Sequence, residues 1–242
     1  MLSWIRTSLL LALLWLSLPA SAAWRHEIVL QDFMNRYVFS EELIGYDLRF
    51  PGIFPISQLR IQEQGQDVAY QAESVQTTSD GLVLSARILF RTSLDKRQRR
   101  VFTLYHDPAY SADFPAGVTL TPIEGVPNRA VLGANLVQVE VPYGDFAPNA
   151  PLREVVPPLV RLARIPGQWC GQGIFLGDEQ VLRVSARPLV EGPLRVVYAV
   201  AYELEGKRRY RVELTMQHNE SHVTVDEYLT GFGLEDTARF RF

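Results

Sequence analysis

GPLRVVYAVAYELEGKRRYRVELTMQHNESHVTVDEYLTGF, residues 192–232, reads as three consecutive antiparallel strands. In the first, Leu194, Val196, Tyr198, Val200, Tyr202 and Leu204 alternate with Arg195, Val197, Ala199, Ala201 and Glu203. In the second, Tyr210, Val212, Leu214 and Met216 alternate with Arg211, Glu213, Thr215 and Gln217. In the third, Val223, Val225 and Leu229 share a face. Successive side chains of a strand point to opposite faces, so this pattern sets one face on a core and the other in water. The meander therefore predicts an all-β antiparallel sandwich.

Along the rest of the chain, strand signals recur every eight to twelve residues, the spacing of a sandwich or barrel. Early strands are expected at 26–31, 44–50, 59–62 and 68–72, with a turn at Gly65. Segments 73–78 and 82–90 flank Asp80-Gly81, a favoured hairpin dipeptide because both residues tolerate positive φ. Phe102 and Leu104 share a face of a strand at 101–105, and a strand at 136–141 follows. Convincing helical periodicity is confined to the N-terminus. Between the strands, prolines from Pro108 to Pro166 punctuate the chain, and proline cannot donate to a ladder. These segments are expected as ordered loops and edges. A domain boundary is conceivable near 142–158, but Val155, Val156, Leu159, Val160, Leu162 and Ile165 are too apolar for a solvated linker. The expectation is a single sandwich domain over 24–242.

The N-terminus reads as a cleavable signal-peptide helix over 1–23. Arg6 supplies the positive charge, 9–18 the apolar run, and Pro19-Ala20-Ser21-Ala22-Ala23 the small residues of a cleavage site. A membrane span needs about twenty apolar residues, so no span is expected after cleavage. An exported protein, periplasmic or extracellular, follows. Cys170 is the single cysteine, so no intrachain disulfide forms and a buried structural thiol is expected. Net charge is −3 with basic residues dispersed, which speaks against a nucleic-acid surface. The basic run 96–100 reads as a solvated strand connection. The basic side is almost wholly arginine, pointing to a high-GC bacterial genome.

His218 and His222 have a metal-compatible i, i+4 spacing on a helix, but Asn219-Glu220-Ser221 between them reads as a hairpin turn. No metal or other cofactor is expected. Glu140, Asp145, Asp178, Asp226 and Glu227 could each supply a carboxylate, but surface acids on strands explain them without chemistry. The least routine segment is 161–173, with Arg161, Arg164, Trp169 and three glycines. Trp169 could stack on a sugar ring with Arg164 on its hydroxyls, or fill the core beside a bend. Tyr143 and Asp145 form a similar, weaker pair. These four residues are the candidate ligand-binding set; no catalytic residue is singled out.

The stretches Tyr46-Asp47-Leu48-Arg49-Phe50-Pro51, Leu59-Arg60-Ile61, Gln66-Asp67-Val68-Ala69-Tyr70-Gln71, Leu89-Phe90-Arg91 and Arg100-Val101-Phe102-Thr103-Leu104-Tyr105 resemble the amino-terminal β-sandwich modules of secreted bacterial polysaccharide-degrading proteins. Gly192-Pro193-Leu194-Arg195 opening a Tyr/Val-rich meander is similar to the super-sandwich of galactose-mutarotase-like and polysaccharide-lyase domains. The resemblance implies a carbohydrate-associated module with a polysaccharide or oligosaccharide partner. The catalytic histidines and carboxylates of mutarotases find no matching positions, so a non-catalytic module is expected. The chain stops within an apparent strand, suggesting one module of a larger protein. Two alternatives remain open. One is a sugar-active lyase or epimerase. The other is an outer-membrane β-barrel, suggested by Phe240 and Phe242 but poorly fitted by Ala238 and Asp236.

Overall fold

A computed structural model describes residues 24–34, 38–165, 167–233 and 239–242. The expected signal segment lies outside the described residues. Among the described residues no helix is long and apolar enough to cross a membrane.

The first half carries β1 (Arg25–Gln31), β2 (Phe39–Arg49), β3 (Leu59–Glu63), β4 (Gln66–Asp67), β5 (Tyr70–Thr77), β6 (Val83–Leu94) and β7 (Arg99–His106). One sheet runs β1-β7-β3-β4 and the facing one β2-β6-β5, all pairs antiparallel. Gln64 and Gly65, at φ 49° and 79°, turn the chain from β3 into β4. β4 is only two residues long; the chain then crosses at Val68 and enters the other sheet as β5. Of the expected return strand at 68–72 only 70–72 is strand, and it lies in the second layer as the start of β5. Gly81 takes φ 80° in a longer loop that Thr78 and Leu82 close, with Thr78 N donating to Leu82 O at 2.9 Å. Ile28, Phe50, Phe54, Ile61, Ile88, Phe90, Phe102 and Leu104 fill the space between the sheets.

The second half carries β8 (Val118–Pro122), β9 (Arg129–Ala134), β10 (Gln138–Pro142), β11 (Gly144–Phe146), β12 (Ala150–Pro151), β13 (Arg161–Ala163) and β14 (Trp169–Cys170). It continues through β15 (Ile174–Leu176), β16 (Gln180–Val190), β17 (Arg195–Leu204), β18 (Arg209–Gln217), β19 (Val223–Thr230) and β20 (Arg239–Arg241). One sheet runs β14-β13-β10-β9-β8 and the other β11-β16-β17-β18-β19, with β12 also on β16 and a β15-β20 ribbon beside them. The fold is therefore all-β, in open antiparallel sheets packed as sandwiches. Val139, Val141, Val184, Tyr198, Val200, Tyr202, Val212, Leu214 and Met216 form this second core.

The meander follows the register its alternation implies. Tyr210, Val212, Leu214 and Met216 are buried on β18, opposite Tyr202, Val200, Tyr198 and Val196. β19 differs: Val223, Val225 and Leu229 do share a face, but Val225 and Leu229 are 38% and 56% exposed. β19 is the last strand of its sheet, and its inward face is covered less than that of β18.

Buried apolar residues fall into two clusters that part at 114–118. Segment 142–158 sits wholly in the second half, where Leu152 and Val155 are core residues. A polar seam joins the halves. The buried Gln71 side chain accepts from the backbone N–H groups of Leu194 at 3.0 Å and Arg195 at 2.9 Å, and donates to Glu73 at 2.8 Å and Arg195 O at 3.1 Å. Glu73 is ion-paired with the Arg195 guanidinium. Arg91 reaches across to His218 O at 2.8 Å and Glu220 at 3.0 Å. Gly192 has to be glycine, since a Cβ there would stand 2.2 Å from Gln71 Cδ.

Candidate functional site

The first half displays an open groove of about 680 Å³ on the outer face of its four-stranded sheet. Its origin is the alternation of β7, where Phe102 and Leu104 turn into the core and Arg99, Val101, Thr103 and Tyr105 turn out. The register sets Tyr105 between Arg25 of β1 and Arg60 of β3, and Thr103 between Glu27 and Gln62. Each rung thus carries an uncharged hydroxyl flanked by planar donors and acceptors. Arg25 and Glu27 pair at 3.1 Å on the exposed rim. Arg60 is held by Asp67 through two bonds at 2.8 and 3.0 Å and by Asp107 at 2.9 Å, and lies 5.2 Å above the Tyr110 ring. The Arg60 hydrogen bond, then that of Gln62, holds the Asp67 carboxyl below the usual aspartate range.

The groove was missed by reading β7 for its core face alone. The complementary outward positions were present in the same alternation, but their companions on β1 and β3 come from distant parts of the chain.

The four residues singled out from sequence do not converge. Trp169 is on β14, at the edge of the second half's five-stranded sheet. It is half-buried, and the Arg161 guanidinium covers its ring at 4.6 Å. Arg161 is fixed by Glu140 at 2.5 Å, and Arg129 binds the other oxygen at 2.7 Å. Glu140 is 4% exposed, so it is not a surface acid: two arginines neutralise it and support the Trp169 stack. Arg164 is exposed in the loop after β13, without an ion pair among the described residues. Asp145 is exposed on β11, in the other sheet, where Ser185 first and Arg183 next depress its pKa. Tyr143 borders a groove of about 630 Å³ along the join of the halves, with Phe114, Pro188 and Pro193.

Of the three glycines around Trp169, Gly167 turns the chain at φ 82°, and Gly171 and Gly173 serve packing. A Cβ on Gly171 would stand 2.6 Å from the Phe242 ring, and one on Gly173 would stand 1.8 Å from Leu159 O. Cys170 is exposed rather than buried, because β14 has no strand beyond it. His218 and His222 flank the β18–β19 turn, where Asn219 takes φ 63°. His218 is half-buried rather than exposed, its Nδ1 3.2 Å from Gly117 O. Among the described residues, no three His, Cys, Asp or Glu side chains are arranged to hold a metal ion. No protein-family model matches the chain, and no curated protein is significantly similar to it.

Proposed function

We propose that this chain is an exported carbohydrate-associated module that binds a polysaccharide or oligosaccharide without transforming it. The observation that carries the reading is the groove across β1, β7 and β3. Sugars present many hydroxyls and weakly apolar ring faces. Planar Arg, Gln and Glu side chains match the hydroxyls, and a half-exposed tyrosine ring offers a stacking surface. The groove lies on regular strands, which hold side chains more rigidly than loops do. The signal-like leader and the resemblance to modules of polysaccharide-degrading proteins support the same reading. Residues 24–242 form the proposed module, acting outside the cytoplasm. The arrangement supplies arginines and glutamines for binding and no pair of facing carboxylates, which favours binding over glycosidic cleavage.

The test is retention of the mature chain on a panel of neutral and uronate-containing polysaccharides, followed by calorimetric titration of the best ligand. Tyr105→Ala should weaken binding about tenfold, as expected for losing a ring contact and its hydrogen bond. Trp169→Ala should leave it within about twofold. Failure to retain any polysaccharide, or unaltered binding by Tyr105→Ala, would overturn the proposal.

A further inference from the structure

A second concavity lies at one end of the second sandwich, between the β18–β19 edge and the β15–β20 ribbon. It encloses about 310 Å³, near the lower bound of small-molecule sites. Leu152, Phe175, Leu229 and Phe240 make its walls. Phe175 meets Tyr210 edge-on at 5.7 Å and Phe240 at 6.0 Å, so three rings converge on one space.

Its polar equipment is sparse and specific. Tyr210 is 5% exposed, and its hydroxyl has no partner in hydrogen-bonding geometry. The other two tyrosines of this core are satisfied: Tyr198 donates to Pro142 O and Tyr202 to Val156 O, both at 2.8 Å. The Glu227 carboxylate approaches this hydroxyl without reaching hydrogen-bonding geometry, and a buried hydroxyl without an aligned partner calls for an explanation. Burial first, and the neighbouring Glu227 carboxylate next, push the Tyr210 phenol up, so it stays protonated and able to donate. Glu227 shares the inward face of β19 with Leu229, because it is opposite Val212 in the ladder. Arg241 lies on the same rim with the opposite charge.

We propose that this cleft binds a small neutral ligand consisting of an apolar ring bearing a hydroxyl group, a phenol or cyclic alcohol. The ring sits among the aromatic and leucine walls. Its hydroxyl accepts from Tyr210 and donates to Glu227. A neutral head group suits a rim where Glu227 and Arg241 offset each other. A sugar does not suit it, since the walls would leave most of its hydroxyls unpaired. The proposal is independent of glycan binding at the groove.

The test titrates p-cresol and toluene separately onto the full chain, followed by chemical-shift changes and calorimetry. Saturable p-cresol binding is expected, tighter than toluene by about fivefold for one hydrogen-bonded hydroxyl. Tyr210→Phe should remove that difference and leave toluene binding unchanged. Leu229→Trp, at an exposed strand position, should fill the cleft and weaken both ligands at least about tenfold. No saturable binding of p-cresol, equal affinities for the two ligands, or full binding by folded Leu229→Trp would each overturn the proposal.

Discussion

The two sandwiches bury aromatic side chains in different ways. The first packs mainly phenylalanine: Phe54 and the His106 ring stack at 4.7 Å, and Phe90 meets Phe102 at the same distance. Its one core tyrosine, Tyr70, donates to Leu59 O at 2.7 Å. The second core is built of valines and three tyrosines, two of which tie down carbonyls of the proline-rich segment, Pro142 O and Val156 O. Proline rings remove N–H donors but leave the carbonyls, and carbonyls need donors when buried. Tyrosine hydroxyls from the sheet beneath provide them. The contrast teaches that a proline-rich stretch can be held to a core from below, by side chains, where ladder bonds are lacking.

That contrast is open to test, beginning with the largest effect. Phe90→Ala empties a fully buried site in the first core and should cost about 3–5 kcal/mol. Amide exchange should show the loss in β2, β5, β6 and β7, with β16–β18 still protected. Equal loss of protection in both halves would show the two cores to be one cooperative unit. Gln71→Ala strips partners from two backbone N–H groups and should cost about 2–3 kcal/mol. In calorimetry it should split one transition into two; a single unshifted transition would rule out a coupling role for the seam.

Tyr202→Phe should cost about 1–2 kcal/mol by orphaning the Val156 carbonyl, whereas Tyr210→Phe should be close to neutral because its hydroxyl has no aligned partner. Equal losses in denaturant titration would contradict the distinction between clamping and unpartnered tyrosines. The smallest effect concerns Asp67 at the groove. Its pKa is depressed in the folded chain, so it adds stability above the ordinary aspartate value of about 4, and that stability fades as pH falls through the folded value. Melting curves of the parent and Asp67→Asn should therefore differ at pH 6 and converge at acid pH.

Much of the fold was legible because period two is a local signal: Tyr210, Val212, Leu214 and Met216 announce their face without any knowledge of the neighbouring strands. Strand order is not local. Nothing in Gln168-Trp169-Cys170-Gly171 says that β14 will be an edge, and so the exposure of Cys170 was misread. The parting of the two cores was equally hidden, since Phe102 and Val139 are both simply apolar in sequence. The seam depends on Gln71 meeting Arg195, more than a hundred residues away. The candidate site suffered most, because it joined residues by proximity in sequence. Asp145 belongs to a different sheet from Trp169, Tyr143 lies in the link between β10 and β11, and Gly171 and Gly173 beside Trp169 admit the aromatic rings of Phe242 and Phe240.

The pairing of β15 with β20 bears on the order of folding. Ile174 opposes Arg241, and the entire meander lies between them in the chain. Closing so long a loop costs entropy before its contacts return anything, so this ribbon is expected to join after the hairpins of the meander have formed. Until it does, Phe175 and Tyr210 lack their Phe240 neighbour, and the growing sandwich stays unlatched at that end. On this expectation β20 is the latch of the second sandwich, the element whose docking closes that end.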